Sequence, residues 1–225
     1  MQTAPPEFLP AYLEHEREAT IRKTRLGCLI GILMVPLFSI LDYFMFWEQT
    51  LEFFWLRLIC SAGMAGLYPV LGTRLGSKYY RLQGLVLLFM PSATIAWMVY
   101  KTGGATSPYY AGLILVLMVL AVVLDWTFWQ SVAGVVLVLV LYLVACLAAT
   151  GPGPYGQGLA NEEGIFLNNF AFLLTPGIAI ITGAYYHTRM RIREFVSRCE
   201  LDRSRKELAS SNQKLLELGQ VKDRF

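Results

Sequence analysis

Charge is scarce in this sequence. Only 16% of its 225 residues are Asp, Glu, Lys or Arg, against 56% hydrophobic residues and a mean hydropathy of +0.49. That balance leaves too little polar surface to clothe a water-soluble domain and points to an all-α integral membrane protein. Histidine is rarer still: His15 and His187 stand far apart, and no HExxH, GxSxG or P-loop pattern occurs. No catalytic residue can be named in this chain, so its enzymatic status stays open. A haem-binding bundle needs histidine pairs within its apolar segments, and a retinal pigment needs a lysine deep in the last one, whereas Lys101 falls at a segment end. The four cysteines, Cys28, Cys60, Cys146 and Cys199, have no CxxC spacing and lie in apolar stretches or in the tail. A disulfide framework and a structural zinc site are therefore not expected, and neither a metal nor a cofactor is assigned. The first 25 residues are polar and contain Pro5, Pro6, Glu7, Glu14, Glu16 and Glu18, so they lack the apolar core of a signal peptide, and the first hydrophobic segment is expected to be retained.

What is present is a series of long apolar runs. About 20 residues at 1.5 Å rise cross a hydrocarbon core about 30 Å thick. Six runs approach that length: Leu26 to Trp47, Phe53 to Thr73, Leu82 to Tyr100, Tyr109 to Leu124, Ser131 to Thr150 and Ile165 to Tyr186. The fourth is short unless it begins within "TGGATSPYY". Residues 1–25 then form an N-terminal segment, 26–186 a six-helix transmembrane domain, and 187–225 a polar helix continuing from the sixth crossing.

Basic residues orient the bundle, because they resist translocation. Arg17, Arg22, Lys23 and Arg25 precede the first run, Arg74, Lys78 and Arg81 follow the second, and Arg189, Arg191 and Arg193 follow the sixth. These ends, and both termini, are expected in the cytoplasm. The connection "DWTFWQ" carries no basic residue, and its tryptophans suit an interfacial belt. The longest outer connection, "GPGPYGQGLANEEG", reads as a loop, so any stimulus has to reach the bundle itself.

Two charges interrupt the runs, Asp42 in the first and Arg57 in the second. If these runs form a hairpin turning at "EQT", the two lie at equal depth and can pair, either as a structural pin or as a stimulus contact. Other polar and aromatic groups fall at the same outer level: Trp97, Tyr100 and Lys101, Ser107, Tyr109 and Tyr110, Phe166, and Asn168 with Asn169. A pocket among them would have apolar walls and a few convergent polar groups. The alternative is an aromatic belt, but one of two adjacent helical asparagines must face away from lipid. The candidate binding residues are thus Asp42, Arg57, Trp97, Tyr100, Tyr109, Tyr110, Asn168 and Asn169. Prolines at 36, 69, 91 and 176 permit bends in four of the six runs.

Beyond Tyr186 the sequence "HTRMRIREFVSRCELDRSRKELASSNQKLLELGQVKDRF" has no proline and one glycine, which favours an uninterrupted helix. Leu201, Leu208 and Leu215 recur every seven residues. With these at position a, Leu218 and Phe225 take d and Ser204 and Ser211 weaken the earlier d sites; with them at d, Asn212 becomes a polar a residue. Either register suits a parallel two-stranded coiled coil, and a homodimer is expected through Leu201, Leu208, Asn212, Leu215 and Leu218.

The stretch "ELASSNQKLLELGQVKDRF" resembles the linker that precedes the dimerisation and phosphoacceptor domain of bacterial sensor histidine kinases, and "GGATSPYYAGL" is similar to part of the multi-pass sensor regions of some of them. The resemblance implies a sensor and signal-transmitting region in the bacterial inner membrane, with a kinase core in cis, a response regulator as partner and lipids around it. It implies no nucleic-acid partner. No phosphoacceptor motif follows Phe225 and no nucleotide-binding motif occurs, so the chain is expected to be an excised sensor portion that could not autophosphorylate by itself. A diguanylate or adenylyl cyclase output, or a small transporter or channel, remain alternatives. The stimulus expected within the bundle is a small apolar or amphiphilic molecule, or a state of the membrane.

Overall fold

The computed structural model describes residues 8–124, 126–149 and 163–222. Among these residues the chain is helical and contains no strand. Helices α1 (Leu9–Leu37) and α2 (Ser39–Met45) form one bent rod, followed by a 3-10 turn (Trp47–Gln49) and α3 (Thr50–Val70). A short α4 (Arg74–Lys78) leads to α5 (Tyr80–Lys101). After a second 3-10 turn (Gly104–Thr106) come α6 (Tyr110–Val123), α7 (Phe128–Ala149) and α8 (Glu163–Lys222). The expected Gly/Pro loop covers 151–164; all of it but Glu163 and Gly164, which open α8, lies outside the described residues, as do 1–7, 125, 150 and 223–225.

Five of these rods are long and apolar enough to cross a membrane: Leu9–Met45, Trp47–Val70, Tyr80–Lys101, Phe128–Ala149 and Glu163–Gln213. The count of six is therefore corrected to five among the described residues. The fourth expected crossing is α6, whose 14 residues rise only about 21 Å against a core of about 30 Å. Its start is fixed by turn chemistry. Gly103 (φ 100°) and Gly104 (φ 63°) adopt backbone that only glycine takes readily, and Ser107 is extended (ψ 130°) before Pro108, so α6 starts only beyond this turn. The Ser107 and Thr102 hydroxyls, 2.5 Å apart, close this turn. At the other end Leu124 has left the helix, and Gln130 Oε1 accepts from both the Thr127 N–H and its hydroxyl at 3.0 Å as α7 begins.

Helix α5 is the centre of the bundle and touches α1, α3, α6 and α7. The α1–α3 hairpin packs on one side of it and α7 on the other, while α8 lies against α6 and α7. Because lipid tails are as apolar as leucine, close backbone approach rather than hydrophobic burial has to hold such helices together. The interfaces accordingly carry small residues. A Cβ on Gly27 would strike the Leu87 side chain, and one on Gly177 would strike Val135. Trp126, expected in an interfacial belt, is instead buried. Its ring lies in a slot between Gly84 of α5 and Gly134 of α7, where a Cβ on either glycine would collide with the indole. Trp129, from the same connection, is 65% exposed and does face outward.

Candidate functional site

Proline 36 sets up the site. It has no N–H, so the Ile32 carbonyl one turn back loses its helical donor, and the Ser61 hydroxyl of α3 supplies one at 2.9 Å. The rod bends at Phe38, restarts as α2 and ends at Phe46, whose backbone (φ −141°, ψ 69°) cannot continue a helix. The Thr50 hydroxyl donates to the Phe46 carbonyl at 2.9 Å, fixing the turn into α3.

This geometry sets Asp42 opposite Arg57. Arg57 Nε donates to Asp42 Oδ2 at 2.7 Å and Nη2 to Oδ1 at 3.0 Å, a two-bonded ion pair with both side chains buried. Tyr109, at the entry to α6, donates its hydroxyl to Asp42 Oδ1 at 2.8 Å. The Tyr109 ring is held by Phe46, stacked at 5.5 Å, and by Phe53, edge-on at 5.6 Å. Among the described residues Arg57 Nη1 reaches only the Val35 carbonyl, at 3.5 Å.

The ion pair and Tyr109 close one end of a cavity of about 400 Å³ between α1–α2, α3, α5 and α6. Its remaining wall is apolar apart from Thr94, whose hydroxyl is turned to the Met90 carbonyl of its own helix. Two glycines of α1, Gly27 and Gly31, and Gly112 of α6 form part of that wall.

The structure distributes the other candidates elsewhere. Trp97 and Tyr100 lie against each other at 5.5 Å on α5, beside a surface cluster in which Lys101 Nζ approaches Glu52 Oε1 at 3.3 Å. Trp97 Nε1 donates to the same Glu52 oxygen at 3.5 Å. Tyr110 packs on the hydrophobic core. Asn169 is buried and donates to the Ala105 carbonyl at 2.8 Å, tying α8 to the Gly104–Thr106 turn; Asn168 is exposed and donates to Asn169 Oδ1 at 3.3 Å. Replacing Asn169 with Leu leaves the carbonyl of buried Ala105 without that donor, so a loss of about 1–3 kcal/mol is expected in an unfolding titration. Asn168→Leu should cost less than half as much, and equal losses would show that the Ala105 contact is not the source. On α8, Leu201, Leu208 and Asn212 are exposed, while the side chains of Leu215 and Leu218 lie outside the description.

Two features escaped the sequence reading. The stretch "GCLIG" carries Gly27 and Gly31 four apart, a spacing that signals close helix packing and marks the cavity wall. The second is a contact between the start of α1 and the far part of α8. Tyr12 meets the Phe195 ring edge-on at 5.5 Å, His15 lies 5.6 Å from the same ring, and nearby Glu16, almost wholly buried, approaches Arg81 at 3.5 Å. No local pattern announces a pairing between residues 12 and 195.

These observations define a helical membrane protein whose short connections frame a cavity with a buried ion pair at one end. Residues 40–202 match the MASE8 family, a family of membrane-associated sensor domains, and the chain belongs to it. That span begins two residues before Asp42 and contains Arg57, Tyr109 and Phe195, but not Tyr12 or His15. Comparison with curated proteins and with solved structures gives no match.

Proposed function

We propose that this membrane sensor domain transmits its state to a histidine kinase core of a two-component system, joined in cis after α8, and that it does so as a homodimer. The observation that carries the reading is α8 itself, one helix from Glu163 to Lys222 that contains both an apolar crossing and the leucine repeat at 201 and 208. A displacement at its apolar end has no loop in which to dissipate. In this reading α6, though short, also passes through the membrane together with the Gly103–Tyr109 turn, so both termini lie in the cytoplasm of a bacterial inner membrane, in keeping with the basic residues that flank the crossings. The exposed faces of Leu201 and Leu208 then pair with those of a second copy.

The stimulus is a small apolar or amphiphilic molecule, or a state of the bilayer, that favours one packing of the helices over another. It acts only through its differential affinity for the two packings. Helix α1 is a second route for the signal, since its middle lines the cavity and its first turns touch Phe195.

Dimerisation is tested by disulfide crosslinking of single cysteines introduced at 208 and at 201 in a Cys199→Ser background in native membranes. Like positions should crosslink efficiently between two chains, and a 201-to-208 mixture should crosslink poorly. Preferential crosslinking of unlike positions, or none at either, overturns the parallel dimer and with it the relay.

A further inference from the structure

We infer that the cavity is a binding site for a membrane-dissolved, single-chain amphiphile with an uncharged hydroxyl head, which enters sideways from the bilayer. The inference deepens the sensor reading by naming the class of ligand, and it rests on that reading only for its signalling consequence, not for binding.

Charge at the closed end selects the head. Asp42 and Arg57 neutralise each other inside a membrane crossing, so an ionic ligand head would leave one uncompensated charge there. Hydrogen bonding is nonetheless incomplete. A carboxylate offers about four acceptor sites, and Asp42 uses three, two on Oδ1 and one on Oδ2. Arg57 Nη1 has a partner only at the outer limit of a hydrogen bond. Asp42 has no accessible surface, so the reachable site is Arg57, which is 7% exposed and asks for an uncharged acceptor such as a hydroxyl oxygen.

The rest of the cavity selects the tail. From Asp42 the wall continues through Met34, Gly31 and Gly27 of α1 and Val116 and Val119 of α6, without a charged group. At about 30 Å³ per water-sized group, about 400 Å³ holds roughly a dozen non-hydrogen atoms, a chain of about ten carbons with its head. Cavities of this size are typical of small-molecule sites.

The rim selects the path. Met34, Leu41 and Met45 on the α1–α2 side and Leu115 on α6 line the cavity and are each 44–53% exposed. They belong to the membrane-crossing rod and to the apolar helix beside it. The mouth therefore opens between helices, towards the hydrocarbon, where an amphiphile of this kind partitions.

The test uses the full chain in phosphatidylcholine nanodiscs and 1-decanol carrying a mid-chain diazirine. Photolabelling should be saturable and should map to peptides of α1 and α6. Unlabelled 1-decanol should compete at least tenfold better than decanoate or decane. Gly31→Leu should reduce labelling at least tenfold by filling the cavity. Because a Cβ at Gly31 meets the Met64 sulfur, Ala111→Phe, on the exposed side of the wall, serves as the second variant and should reduce it likewise. Val122→Leu, 85% exposed and off the wall, should change nothing. Equal competition by decane or decanoate overturns the head assignment, and labelling indifferent to both filling variants overturns the site. Efficient Leu115→Cys crosslinking between two chains, unaffected by decanol, would show a second copy covering the mouth and overturn the path. These outcomes are independent of the crosslinks at 201 and 208, so binding and relay can fail separately.

Discussion

Removing either partner of the central ion pair is expected to destabilise the bundle by about 3–5 kcal/mol, whereas removing both should cost far less. Asp42→Leu leaves the Arg57 guanidinium buried with only the distant Val35 carbonyl for company. Arg57→Met leaves a buried carboxylate whose one remaining side-chain donor is the Tyr109 hydroxyl. The double variant deletes both charges, and what it forfeits is the net value of hydrogen bonds between membrane helices, about 0.6 kcal/mol on average and seldom above about 1.7. The measurement is reversible unfolding of the two single variants and the double in mixed micelles. A strong negative coupling in the cycle is expected, and additive losses would mean that the two charges do not depend on each other. Tyr109→Phe should lie in between, since it removes one donor from Asp42 but leaves the ion pair and the Phe46 and Phe53 ring contacts in place.

Gly134→Leu is expected to have the next largest effect. The Cβ alone would overlap the Trp126 ring and press on Leu88, and neither has free space to retreat into, because Trp126 is backed by Gly84 and Leu88 is fully buried. Overpacking of this kind costs about 1–3 kcal/mol and sometimes more. Combining it with Trp126→Leu should recover a good part of the loss, because the smaller side chain vacates the ring's slot. If the double variant is no better than Gly134→Leu alone, the indole is not what the new side chain meets. Both substitutions lie away from the cavity wall, so a change in ligand labelling is not expected beyond the fall in folded protein.

The sequence made the crossings legible because a run of uncharged residues of bilayer length has few other uses. It made the Asp42–Arg57 contact legible for a different reason: two lone charges placed symmetrically about a turn have each other as the nearest remedy. Tyr109 is one of several groups near the same level, and nothing in one dimension separates it from Tyr110; both pack against the core, but only Tyr109 reaches Asp42. Adjacent residues on a helix face directions about 100° apart, and the run around them is apolar on every side. By hydropathy the run from Tyr109 to Leu124 reads as a crossing, short unless it begins within "TGGATSPYY". The length of α6 is set by Gly103, Gly104 and Pro108, whose effect on the start of a helix is steric rather than hydrophobic. Trp126 misled for a related reason. Tryptophan at the end of an apolar run usually lies in the interface, and only the juxtaposition of Gly84 and Gly134, fifty residues apart, opens an interior slot for it. The Phe195 contact had no local signature at all.

The position of that contact has a mechanical consequence. Helix α8 leaves its apolar stretch at Tyr186, and Phe195 lies nine residues further on, about 14 Å along the axis, while Lys222 lies thirty-six residues on, about 54 Å. Tyr12 and His15 therefore press on a long arm near its pivot. For a rod that swings as one piece, a sideways shift of about 1 Å at Phe195 becomes about 4 Å at the tip. For such a rod, any sideways shift of α1 at Phe195 is enlarged about fourfold at the far end of α8.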